Sequence, residues 1–145
     1  MIKITLDTSV LYQALRSTRG ASHQILQLIR QKKLTVALTV PVFLEYQAVL
    51  YRPETLRDLK LARGEVDAVL DLLLLNGELH AVSFLWRPNL TDADDDLFVE
   101  CAFAGQSDFL ITRNVRDFTS GELGPMPFVV TTTTDFYPQW RKDHE

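Results

Sequence analysis

Residues 2–16, IKITLDTSVLYQALR, carry the change of hydrophobic period that decides the fold class. Ile2, Ile4 and Leu6 fall on one face and Lys3 and Thr5 on the other, the alternation of a strand. From Asp7 onward the period changes. Val10, Leu11, Ala14 and Leu15 recur at helical spacing, and Thr8 or Ser9 can cap the helix they form. Asp7 therefore stands at a strand-to-helix junction.

The same alternation continues along the chain. After Gly20, Ser22 can cap a second helix with Ile25, Leu26, Leu28 and Ile29 inward and Lys32 and Lys33 in its last turn, where cations suit the dipole. LTVALT, 34–39, is a second strand. Pro41 opens the next helix, since its missing donor would be unsatisfied there anyway, and that helix should end near Arg52, ahead of Pro53. Glu54 to Leu75 reads as one or two helices, with Gly77 as a left-handed stop. LHAVSF (79–84), DFLIT (108–112) and PFVVT (127–131) read as further strands, 93–104 as a helix with Gly105 past its end, and the final DFYPQWRKDHE as a short helix or tail. No Asn-Gly or Asp-Gly pair joins two strand-like runs; Asn76-Gly77 follows the Leu-rich run read as helix. The expectation is an α/β fold, a central parallel sheet of about five strands flanked by helices, in one domain over 1–145.

Composition excludes several classes. A chain of 145 residues with 46% hydrophobic residues is large enough to hide roughly 68–70% of its unfolded surface, so a core forms without staples. The single cysteine, Cys101, cannot pair within the chain; this fits a reducing compartment and excludes a Cys-rich zinc site. No apolar run approaches the roughly 18 residues of a membrane span, and IKITL lacks the flanks of a signal peptide. A soluble cytoplasmic protein with no membrane partner is expected. Fifteen Lys plus Arg against 19 Asp plus Glu give a net charge of −4, so any hold on nucleic acid must come from local cations. The negative charge is concentrated in DADDD, 92–96.

In open α/β sheets, ligands bind beyond the carboxyl ends of the strands. The polar residues there are Asp7 after the first strand, Glu45 early in the helix after the second, the DADDD run after the third, and Asn114 with Asp117 after the fourth. Converging carboxylates raise one another's pKa unless a cation lies between them. An oxygen-only set suits Mg²⁺ or Mn²⁺, whereas His23, His80 and His144 have no metal-ligand spacing. Such an ion can activate a water for in-line attack on a phosphodiester.

Other readings stand beside these. Asp7 can cap its helix, though Thr8 and Ser9 can do the same; Glu45 can serve the helix dipole. Asp92 and Asp94 read as dipole-complementing acids, while Asp95 and Asp96 are harder to explain in that way. Glu100, one turn after Asp96, either supports the site or faces solvent. Thr112 either contacts backbone or water at the site or is an ordinary strand residue. Arg16, Arg19, Arg113 and Arg116, on or near the same edge, can hold phosphates or be solvated charge.

The ordered set LDTSVL, PVFLEYQAVLYRP, TDADDDLFVECAFAGQSDFLITRNVRDF and VVTTTTDF resembles a PIN domain, close to bacterial toxin–antitoxin toxins of the VapC type. That resemblance implies a Rossmann-like parallel sheet and a Mg²⁺- or Mn²⁺-dependent endoribonuclease site of three or four acids. Carried over, it makes Asp7, Glu45 and Asp96 the catalytic, metal-holding acids, with Asp95 as the off-by-one alternative. The fourth position, often Asp, is Asn114 here, and Asp117 can compensate. Thr8, Thr112, Arg113 and Arg116 would bind substrate. The resemblance further implies an RNA substrate, a homodimer and a small antitoxin partner.

Competing classes fit less well. A receiver-like phosphoacceptor needs paired acids after the first strand and a Lys after the last, and a haloacid dehalogenase needs a second Asp two residues after the first; LDTSV and TTTTDF lack these. A non-catalytic PIN-like scaffold that binds RNA or protein is the remaining alternative, with Asn114 in its favour.

Overall fold

The computed structural model describes residues 1–82, 95–118 and 126–144; of Asp95 and Asp117 it describes the backbone alone. Among the described residues, β1 (Lys3–Leu6), β2 (Thr35–Leu38), β3 (Gly77–Leu79), β4 (Phe109–Ile111) and β5 (Val129–Thr131) form one parallel sheet in the order β3-β2-β1-β4-β5. The helices are α1 (Thr8–Arg16), α2 (Ala21–Arg30), α3 (Val40–Leu50), α4 (Pro53–Leu59), α5 (Arg63–Asn76), α6 (Asp95–Ala104) and α7 (Thr133–His144), with a 3₁₀ turn at Val115–Phe118. This is the parallel α/β class the alternation implies. No described helix is long and apolar enough to cross a membrane.

Helices cover both faces of the sheet, so Ile4, Thr5 and Leu6 are buried in succession. Thr5, on the face opposite its apolar neighbours, satisfies its hydroxyl through Ser107 Oγ at 2.7 Å. Cys101 is a small, fully buried free thiol. Its Sγ donates to the Ala37 carbonyl at 3.4 Å, and burial pushes the thiol up to about 11.

Several local expectations need correction. Asp7, rather than Thr8 or Ser9, is the N-cap of α1, because it is the last residue with extended backbone (φ −64°, ψ 147°) while Thr8 and Ser9 are already helical. α2 starts at Ala21 after Gly20, with no side-chain cap, and Ser22 is buried inside its first turn. β2 ends at Leu38, leaving Thr39 to cap α3 by accepting from Val42 N, so Pro41 is the second helical residue and the helix ends at Leu50. Glu54 to Leu75 does split into two helices.

Gly77 is not a left-handed stop. It is extended (φ −110°) and is already the first residue of β3, which begins two residues earlier than LHAVSF predicts. Glycine is required there by closeness: a Cβ would meet Leu73 O at 2.5 Å and Val36 O at 2.8 Å. β3 ends at Leu79, so His80, Ala81 and Val82 of the expected third strand are not strand; residues 83 and 84 lie outside the described residues, as do 93 and 94 of the expected helix. The C-terminal segment is a full helix, α7, that packs Phe136 and Trp140 into the core.

Candidate active site

The chain builds β1, β2 and β3 outward in one direction, then crosses back to place β4 and β5 on the other side of β1. The order therefore reverses between β1 and β4, and a ligand crevice belongs at the carboxyl ends of those two strands. Asp7 immediately follows β1 and Thr112 immediately follows β4. The two meet: Thr112 Oγ1 donates to Asp7 Oδ2 at 2.7 Å, and the Asp7 N–H donates to the Ile111 carbonyl at 3.0 Å. Thr112 is fully buried, and its hydroxyl also accepts from the Asn114 N–H at 3.1 Å.

Capping does not consume the Asp7 carboxylate. Ser9 Oγ and Thr112 Oγ1 both bond Oδ2, whereas Oδ1 has a long 3.5 Å contact with the Ser9 N–H. Both hydroxyls donate to one oxygen and turn the carboxylate to a set orientation. Thr8 beside it is buried, and its Oγ1 has no hydrogen-bond partner among the described residues.

The other acids lie on helices α3 and α6. Glu45 is half-buried on α3. Its neighbour Tyr46, wholly buried, donates to the Leu6 carbonyl at 2.6 Å and stacks on Phe98 of α6 at 6.4 Å between ring centroids. Burial above all, then the neighbouring Cys101 and Asp7, hold the Tyr46 phenol well above its ordinary pKa. Asp96 and Glu100, one turn apart on α6, are 4% and 3% exposed. Glu100 is thus inside the protein, not at the solvent face.

The described candidates, Asp7, Glu45 and Asp96 among them, are not gathered into one ion site. Among the described residues, no three side chains of His, Cys, Asp and Glu stand close enough to hold one ion together. Residues 92–94 and the side chains of Asp95 and Asp117 lie outside the described residues. Asn114 is exposed beside Thr112, and Arg113 and Arg116 are exposed after β4. Arg16 is removed from the edge where it was expected: it ends α1, roughly 12 Å of helix beyond Thr8, and pairs with Asp58 at 3.8 Å. The histidines hold structure instead: His23 Nδ1 bonds the Ala14 carbonyl, His80 lies against Glu78, and His144 stacks on Trp140.

A family model described as PIN domain matches residues 3–116, most of the chain. The chain belongs to the PIN domain family. No curated protein sequence matches it. Two solved structures share the fold of this PIN domain. One is VapBC2 from Rickettsia felis bound to a DNA fragment from their promoter, at 17% identity and a TM-score of 0.61, over 90% of this chain and 98% of that one. The other is PAE2754 from Pyrobaculum aerophilum, at 13% identity and 0.59, over 97% and 90%.

Sequence reading missed two contributors in this PIN domain. Ser9, considered as a cap, instead gives a hydroxyl to Asp7. Tyr46 had a legible signal: with Val42 and Leu50 it recurs every four residues on the buried face of α3, and a phenol there must find an acceptor.

Proposed function

We propose that this PIN domain is a divalent-metal-dependent endoribonuclease acting through Asp7, Glu45 and Asp96, and that it is the toxin of a toxin–antitoxin pair. The observation that carries the proposal is the Thr112–Asp7 tether across the β1–β4 reversal, in a family whose members are in general nucleases. The toxin assignment rests on likeness to the VapBC2 complex. By the same analogy the protein works in the cytoplasm as a homodimer restrained by a small antitoxin.

The donor set fits Mg²⁺ or Mn²⁺ in kind. Asp7, Glu45 and Asp96 offer oxygen only, the histidines are engaged elsewhere, and Mg²⁺ is commonly held by one or two carboxylates with waters and substrate phosphate completing its shell. Asn114, with Asp117 and Asp95 as alternatives, would add to that set. When bound, the ion supplies positive charge to the phosphate and acidifies a water for attack on the phosphodiester. The chain's own residues then divide the remaining work. Ser9 and Thr112 hold Asp7 in one orientation, so Oδ1 stays directed away from the two hydroxyls. The Thr8 hydroxyl is enclosed, which leaves the exposed Arg113 and Arg116 to grip the RNA backbone with forked donors.

The test is cleavage of a mixed RNA pool by the purified protein with Mn²⁺, with EDTA, and as Asp7→Asn and Asp96→Asn variants. Metal-dependent cutting that both substitutions abolish supports the assignment. Folded wild type that neither cuts RNA nor gains thermal stability from millimolar Mn²⁺ would refute it and favour a binding scaffold.

A further inference from the structure

α7 follows β5 and packs against α2, leaving a cleft of about 150 Å³ beside Phe109 of β4. A cavity of about that volume holds one benzene-sized ring. Its walls are aromatic. Phe109 meets Phe136 of α7 edge to face, with 5.0 Å between ring centroids, and Trp140 lines the cleft one turn further along the helix, its indole stacked on His144. Its rim is acidic. Asp135, Gln139 and Asp143 recur every four residues on α7, so they form one column on one helix face, and all three line the cleft.

No described cation neutralises that rim. Asp143 accepts from Gln139 Nε2 at 3.0 Å, but neither Asp143 nor Asp135 forms an ion pair with a described Lys, Arg or His. Arg141 of the same helix lies over the ring of Tyr137, a residue that does not line the cleft. Further in, Trp140 is 8% exposed and its Nε1–H has no acceptor among the described residues. Buried donors in native proteins are nearly always paired, so this one marks a partner that the described chain does not supply. Two carboxylates outside and aromatic walls with an idle donor inside complement a cation that has a flat apolar body and an oxygen. We propose that the cleft binds a small aromatic amine, with its ammonium at Asp135 and Asp143, its ring against Phe109 and Phe136, and its oxygen toward the Trp140 indole. Of the described lining, only Phe109 falls within residues 3–116, the span of the PIN domain match, so the site is separate from Asp7, Glu45 and Asp96 and does not depend on their role.

The experiment titrates tyramine into the protein and follows the assigned indole N–H resonance of Trp140 by nuclear magnetic resonance. Tyramine should shift that resonance with a Kd in the millimolar range or below, as befits so small a ligand. 4-Ethylphenol keeps the ring and the oxygen but has no charge, and should bind about fivefold more weakly or worse. Asp135→Asn/Asp143→Asn, at two exposed positions, should keep the wild-type melting temperature and lose about as much tyramine affinity. 4-Ethylphenol that binds wild type as tightly as tyramine overturns the recognition of a cation. Unchanged tyramine affinity in the folded double variant overturns the role of the two carboxylates. An indole resonance that stays in place at millimolar tyramine overturns the site.

Discussion

Replacing Thr112 by Val removes one oxygen from the carboxyl end of β4 and almost no volume. The lost hydroxyl makes two bonds, a 2.7 Å bond donated to the Asp7 carboxylate and a 3.1 Å bond accepted from the Asn114 N–H. A hydrogen bond to a charged group contributes about 1.5–3 kcal/mol and a neutral one about 0.5–1.5 kcal/mol. Both partners can recruit water, since Asp7 is half-buried and Asn114 exposed, and Ser9 keeps its hold on Asp7. The net cost therefore lies at the low end, about 2 kcal/mol. For 145 residues the unfolding entropy is about 0.3 kcal/mol per degree, so Tm should fall by about 7 °C. Differential scanning calorimetry of Thr112→Val and Thr112→Ser in metal-free buffer measures this directly. Serine retains the hydroxyl and should recover most of the loss. A valine variant that melts within about 2 °C of wild type would show that the tether between β1 and β4 has no energetic weight.

Three further outcomes follow from named contacts. Gly77→Ala drives a methyl group into the carbonyls of Leu73 and Val36, and should lower the urea midpoint by the equivalent of about 3 kcal/mol; an unchanged midpoint refutes the close-approach account. Burial keeps the Cys101 thiol neutral up to about 11 in the folded protein against 9.0 unfolded, so its contribution is full below pH 9 and lost as pH rises to about 11. The stability difference between wild type and Cys101→Ala should accordingly shrink by about 3 kcal/mol over that window, and a difference that stays flat would contradict it. Arg113→Ala should weaken RNA binding evenly across sequences and reduce the slope of log affinity against log salt by about 0.7; an unaltered slope removes Arg113 from the phosphate contacts.

Asp7 illustrates how far the linear chain can be read. The change from period two to period 3.6 around it is local, so the junction and the exposed chemistry of a strand end were legible. The choice of cap was not, because Asp7, Thr8 and Ser9 all have competent oxygens, and only the point at which the backbone leaves the sheet selects among them. Gly77 shows the same limit from another side. A glycine after an apolar helix ordinarily signals a left-handed stop, but here the packing of α5 on β2 leaves no room for a methyl group. Glu100 had two open readings at helical spacing from Asp96, and the packing of α6 against β1 and β4 put it inside.

Hydrophobic periodicity, turn residues and the placing of acids after apolar runs are properties of short windows. From them alone came a parallel α/β sheet, the absence of hairpins and a set of carboxylates at strand ends. Strand order is a property of the whole chain. Nothing in a short window states that β4 returns to the flank of β1, yet that return makes the β1–β4 reversal and brings Thr112 to Asp7 across 105 residues of sequence. Tyr46 meets Leu6 and Phe98 for the same reason: contacts between elements form only when the core has chosen which helix faces which strand, a choice made by the summed packing of many side chains rather than by any one of them.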